Sequence, residues 1–290
     1  MVSSLTRNKM KQYLFILPLV VFLVALPGYL FVSTFFISLR EVNFGVLEGS
    51  KFIGLKNFSQ VIGSRSFWQS MRFSLLFGSV TTVSEIIIGF LVALFVYNKF
   101  RGNRLVITLL VTPILIAPSL FGLMNRILFN NFIGLVPGYI KFFFHRDIDF
   151  FSPANVFTTL VFIDCLQWTP FAFLILYASM LGIPPQLMEA SKMDGAGYIE
   201  QIWFVVIPYL LPSITSTLLL RFTESFRVFD TVYVLTGGGP GDLTTSISIY
   251  IYRLGFVMGD HGSASAAGMI LFAIMIFFVI LTLKLSERKW

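Results

Sequence analysis

Charge is what this chain has least of. Only 12% of its 290 residues are Asp, Glu, Lys or Arg, 56% are hydrophobic, and the mean hydropathy is +0.84. A soluble domain of this length does not solvate its surface with so few charges, so the expected medium is lipid. Cysteine is nearly absent: Cys165 stands alone inside an apolar run, which excludes an intrachain disulfide and any cysteine-based metal site. The two histidines, His145 and His261, are read as loop residues, and neither metal-ligand spacing nor a nucleophile–base pair occurs, so no catalytic or metal-ligating residue is expected. A phosphate-binding GxxxxGK followed by Ser or Thr is also missing; the glycine run Gly237–Gly241 has no lysine after it. ATP is therefore not bound through that motif, and energy for any work must come from a partner or an ion gradient. The net charge of +7 comes from basic residues that flank apolar segments. That pattern fits anchoring at anionic headgroups and gives no reason to expect nucleic acid.

What the chain does have is apolar runs of spanning length. Six are expected, at about 13–39, 73–98, 105–125, 156–181, 209–226 and 262–283, giving an all-α polytopic membrane protein of one domain over 1–290. The first run is far longer than the core of a signal peptide and is read as a retained span. An even number of spans puts both termini on one side. Lys99, Arg101 and Arg104 form a short basic turn, whereas 40–67 dilutes its basic residues with Glu41 and Glu48. Short basic segments govern orientation, which places both termini in the cytoplasm. The segment 126–154 reads as surface helices with aromatic anchors, and no internal repeat is visible.

Between the fourth and fifth runs lies a polar stretch, Pro184 to Pro212. Pro184 and Pro185 suit a first helical turn and Gln186–Met193 are mostly good helix formers. Gly195, with Gly197 behind it, can supply the positive φ that ends the helix. Ile199, Ile202, Trp203 and Val206 then recur at helical spacing, and Pro208 and Pro212 mark the start of the next run. A short helix, a bend and an amphipathic helix make a bracket. Glu189, Ala190 and Ser191, then Gly195, then Val205, Ile207 and Pro208 match in spacing the EAA loop, and on these residues the chain resembles the permease subunits of binding-protein-dependent ABC importers. Ser191, Val205 and Ile207 are its conservative departures. Two further stretches, Trp168–Ala190 and Phe226–Tyr252, resemble the carbohydrate-uptake branch of that family.

The resemblance implies a cytoplasmic coupling loop at 184–208, in which Glu189, Ala190, Ser191, Asp194, Gly195 and Pro208 meet an ATPase subunit. It implies a second homologous permease, two cytoplasmic ATPases that use ATP and magnesium, an extracytoplasmic solute-binding protein, and residence in a prokaryotic cytoplasmic membrane. This chain itself is expected to bind no cofactor and to be no enzyme. Asp194 is alternatively a cap of the second bracket helix, and Glu189 a helix partner of Lys192. Trp168, Phe171, Phe226 and Tyr250 sit where the family builds its cavity, and Glu224 is a path candidate from its depth in a span. Gly237, Gly238, Gly239 and Pro240 form either a turn reaching toward the binding protein or a plain connection. Glu85, Asp164 and Glu224 lie at membrane depth, where a carboxylate is costly unless it faces water or a partner. They line a polar path or contact sugar hydroxyls, form helix-packing salt bridges (Glu224 with Arg221 or Arg227), or lie nearer the interface than the span bounds suggest. In an ion-coupled secondary transporter, the rival reading, the same three would form a proton relay.

The topology is directly testable: single cysteines at Ser50 and Asp242 are expected to label from outside the cell and one at Gln201 is not. Labelling of all three from one side contradicts six spans.

Overall fold

Apolar runs flanked by few charges satisfy their backbone internally, and every long element is a helix. The computed structural model describes residues 2–44, 50–98 and 102–287, and for 2–15, 283 and 285–287 it describes the backbone alone. The side chains of Arg7, Lys9 and Lys11, and all of Glu48, Lys99, Arg101, Arg288 and Lys289, lie outside the described residues. The helices are α1 (Val2–Ser38), α2 (Lys56–Gly63), α3 (Arg65–Tyr97), α4 (Asn103–Val111), α5 (Pro118–Leu128), α6 (Leu135–Phe144), α7 (Val156–Leu181), α8 (Pro185–Met193), α9 (Tyr198–Gln201), α10 (Ile207–Phe226), α11 (Asp230–Thr236), α12 (Ile247–Tyr252) and α13 (His261–Glu287). Among the described residues five helices are long and apolar enough to cross a membrane, or six with the bent pair α4–α5 taken as one.

The chain divides into two compact units, Met1–Ser64 with Ile251–Ala273, and Arg65–Tyr250 with Ile274–Trp290. In the first, α1 turns most of its described apolar side chains outward, as a lipid-facing span does. Asn57, buried in α2, donates to the carbonyls of Ser38 and Arg40 at 2.8 and 2.9 Å. Asp260 accepts the Ser263 N–H at 2.9 Å and so caps α13. That cap is why His261, expected in a loop, is the first residue of α13 instead.

In the second unit α3, α7 and α10 pack against one another. A side chain at Gly89 would put its Cβ 2.9 Å from the Phe173 nitrogen and 3.0 Å from Ala172 Cβ, so α3 and α7 cross at a point only a glycine permits. Phe173, Leu176, Met180, Val206 and Leu210 form one apolar cluster there, and Phe73, Phe77, Leu160, Ile163 and Val232 form another.

Three expected boundaries differ. The second span starts at Arg65 rather than Phe73, because the polar residues of its first turns do not oppose a helix. The third is not straight: α4 passes into a 3-10 turn, Thr112–Leu115, and α5 leaves at 99°. Pro118 holds Ala117 extended at φ −56, ψ 137, which ends the helical path. Gln167 on α7 donates to the freed Ile116 carbonyl at 3.0 Å. The fifth span does not begin at Tyr209, as the next subsection describes.

Gly89→Val is expected to lower the thermal midpoint of the purified protein by the equivalent of about 1–3 kcal/mol, the usual cost of overpacking. Gly28→Ala, at a position with nothing within 4 Å of the added Cβ, is expected to leave it unchanged.

Candidate functional site

The bracket forms as its local chemistry dictates. Pro184 precedes the first turn of α8 and its carbonyl accepts the Leu187 N–H at 3.1 Å. Asp194 ends α8, and Gly195 follows at φ +81, the left-handed conformation that glycine adopts without steric cost. Gly197 caps α9, its N–H donated to Glu200 Oε2 at 2.7 Å. Asp194 therefore caps the end of the first bracket helix and not the start of the second. Glu189, Ala190, Asp194 and Gly195 are exposed, and Ser191 turns its hydroxyl back to the Met188 carbonyl at 2.9 Å.

The second bracket helix does not stop at the prolines. From Tyr198 the chain runs through α9, a π-helical stretch Ile202–Val206 and α10 to Phe226 without a break. In the π stretch the Ile207 N–H reaches back to the Ile202 carbonyl. That wider turn lies just ahead of Pro208, whose missing N–H and ring would otherwise break a helix interior. At the foot of this rod, Ser179 donates to Ser213 at 2.6 Å and the Tyr209 hydroxyl to the Gly182 carbonyl at 2.8 Å. These bonds tie α10 to the end of α7.

Farther along α10, Arg221 is buried at 2% exposure in the middle of an apolar run. Its guanidinium grips Glu85 of α3 in a fork, Nε to Oε2 at 2.6 Å and Nη2 to Oε1 at 2.8 Å. Nη2 also reaches Asp164 of α7 at 3.2 Å and Ser225 at 3.0 Å. Trp168 lies against the cation, its ring centroid 4.6 Å from Cζ. Two of the three carboxylates expected at membrane depth thus converge on one arginine. Their grouping was hidden from sequence because α3 and α7 meet α10 only in the fold. The legible signal was the arginine itself, since a charge within a span must find a partner.

The remaining path candidates separate. Glu224 bonds Arg227 at 2.5 Å, both about half exposed at 54% and 55%, so its partner is Arg227 and not Arg221. Phe226 is fully buried, its ring 5.7 Å from Phe222 and 6.1 Å from Phe278, and Tyr250 packs edge-on to Phe67. Both are core residues with little or no surface for a solute. Trp168 and Phe171 on α7 are half-buried. The TGGGP turn is knit shut: Gly237 ends α11 at φ +61, Thr244 donates to the Gly239 carbonyl at 2.6 Å and Thr245 to that of Gly238 at 3.1 Å. Pro240 follows Gly239 through a cis bond. Among the described residues no cluster of His, Cys, Asp and Glu is arranged to hold a metal.

The family described as binding-protein-dependent transport system inner membrane component matches residues 85–290. The trehalose/maltose transport system permease protein MalF of Thermococcus litoralis is 32% identical over 279 residues, which is 96% of this chain and 94% of that protein. The sn-glycerol-3-phosphate transport system permease protein UgpA of Agrobacterium fabrum is 28% identical over 302 residues, 100% of this chain and 99% of its own. The fold matches a chain of the bacterial alginate ABC transporter, solved in complex with an alginate pentasaccharide-bound periplasmic protein, at a TM-score of 0.86. That likeness covers 99% of this chain and 97% of the other at 19% identity.

Removing one partner of a buried ion group differs in kind from removing a surface pair. Arg221→Ala strands two carboxylates and is expected to destabilise by about 3–5 kcal/mol. Glu224→Gln breaks a half-exposed pair and is expected to cost under about 1 kcal/mol. Thermal unfolding of the two purified variants checks the order.

Proposed function

The chain belongs to the family of binding-protein-dependent transport system inner membrane components, and from that membership we propose that it is the permease subunit of an ATP-driven importer for a sugar, an oligosaccharide or a related solute. The carbohydrate class draws its support from relatives named for trehalose, maltose and sn-glycerol 3-phosphate transport. One observation carries the mechanical half of the reading: the exposed bracket bends at Gly195 with φ +81 and continues unbroken into a membrane helix. A partner that docks on Glu189, Ala190, Ser191, Asp194 and Gly195, with Pro208 at the foot of the rod, thereby gains a direct hold on the transmembrane bundle.

In this proposal the chain pairs with a second, homologous permease. Two cytoplasmic ATPases consume ATP with magnesium, and this chain binds neither. An extracytoplasmic binding protein delivers the solute. The bracket and both termini face the cytoplasm. Trp168, Phe171 and Glu224 are the candidates for the path, aromatic faces stacking on sugar rings and the carboxylate accepting hydroxyl protons. The closed turn Gly237–Pro240 offers the binding protein a fixed surface.

An ion-coupled secondary transporter is the competing reading. It needs carboxylates that exchange protons with water, whereas Glu85 and Asp164 are buried at 0% and 2% exposure against Arg221. Uptake that tracks ATP and survives collapse of the proton gradient supports the importer; uptake that fails with the gradient supports its rival.

Gly195→Val forces a β-branched side chain into the left-handed region at a cost of about 1–2 kcal/mol, with no neighbour to blame. The spans are expected to insert normally while the complex loses its ATPases or no longer transports. Glu189→Lys is expected to behave alike, with a charge reversal on the ATPase partly restoring uptake. Full transport in both variants would sink the coupling role.

A further inference from the structure

The bracket and the buried arginine lie on one element. Arg221 is 23 residues beyond Tyr198 along the helical run that begins at the bend, about 35 Å at the α-helical rise. At that distance it holds Glu85 on α3 and Asp164 on α7 at once, with side-chain exposures of 3%, 0% and 3% for the three groups. Apolar packing between helices tolerates sliding, because one methyl contact replaces another. A forked guanidinium–carboxylate pair does not. A one-turn slip of α10 would part a bidentate pair at 2.6 and 2.8 Å and leave three charges unpaired in a low-dielectric interior. Near the same end, an added Cβ at Gly78 of α3 would lie 3.1 Å from the Phe226 nitrogen, so the two backbones touch just beyond the clamp.

We infer that Arg221 is a positioning residue for transport: with Glu85 and Asp164 it clips α3 and α7 to the rod that starts at the bracket, so that displacement at the bracket moves all three helices together. The inference rests on reading 184–208 as the docking site of an ATPase. Arg221 touches neither nucleotide nor solute in this role. It converts a push at the bracket into a shift of the wall that carries Trp168 and Phe171, since Trp168 lies against Arg221 itself.

The test uses the complete transporter in proteoliposomes, with Cys165→Ala and a reporter, Phe171→Cys, on α7. The rate of labelling by a small methanethiosulfonate is compared between the ADP state and the ATP–vanadate state. With the clamp intact the two rates are expected to differ roughly fivefold or more, the size of an ordinary coupling between sites. The clamp is then replaced whole by Glu85→Leu, Asp164→Leu and Arg221→Met, since exchanging an entire buried ion group for apolar residues is tolerated where removing one member is not. ATP hydrolysis is expected to persist while the labelling ratio falls to near unity. A ratio that survives in the apolar variant overturns the inference. So does joint loss of hydrolysis and ratio in an assembled complex, which would assign Arg221 to seating the ATPase. If the triple variant does not assemble, Arg221→Lys decides: it keeps the charge and loses the fork, and an unchanged ratio there overturns the inference. A complex with the native clamp that shows no ATP hydrolysis at all fails the importer reading, a result distinct from loss of the ratio alone.

Discussion

A guanidinium cannot shed its charge in a membrane interior, so an arginine placed mid-span dictates what must surround it. Arg221 meets that demand with two carboxylates from two other helices, a serine one turn along its own helix and an aromatic face. Satisfying it sets the rotation of α10, because only one side of that helix can present the fork to Glu85. It also sets the relative heights of α3 and α7, because Glu85 and Asp164 must reach the same group. The close crossing at Gly89 fits the same constraint: two helices pinned by a common ion approach closely where α3 carries no side chain and α7 presents only the small Ala172 and its backbone.

The other end of α10 is governed by a different constraint. A helix that runs unbroken from a surface loop into a membrane span leaves no place for a joint, yet Pro208 and Pro212 fall where a joint would be expected. The π-helical stretch Ile202–Val206 resolves the conflict by absorbing the proline without unwinding the chain. The chain turns instead at Gly195, outside the rod, where φ is +81. The bracket is thus a bend followed by a beam, and its anchorage to α7 through Ser213 and Tyr209 keeps the foot of the beam in place.

Much of this was legible in the sequence, for reasons that differ by element. The bracket is built from local signals, a Pro pair, a run of helix formers and a glycine, and the observed bend falls on Gly195 as expected. The fourth run, 156–181, coincides with α7 because Pro153 ahead of it and Gly182 and Pro184 behind it bound the helix where the apolar run itself starts and stops. The third run failed as a straight span because hydropathy does not see geometry: Pro113 and Pro118 are apolar enough to extend the run and stiff enough to fold it. Phe226 and Tyr250 are cavity candidates by the family resemblance, and only packing reveals that they are buried with neighbouring rings against them. The partnering of Arg221 was the least legible feature. Glu85 is separated from it by 136 positions and Asp164 by 57, whereas Glu224 and Arg227 are near neighbours that any local reading prefers.

That arrangement also bears on where the energy for movement comes from. A carboxylate that couples transport to a proton gradient has to meet water on each side of the membrane in turn, and must change partners as it does so. Glu85 directs both oxygens at one arginine in a site closed to solvent, and Asp164 shares that arginine. Glu224, the carboxylate left with open surface, stands at the end of α10 beside Arg227. The buried charges therefore serve geometry, holding α3, α7 and α10 in register. A bundle whose described interior charges neutralise one another as structure is better suited to being driven from outside than by protons passing within.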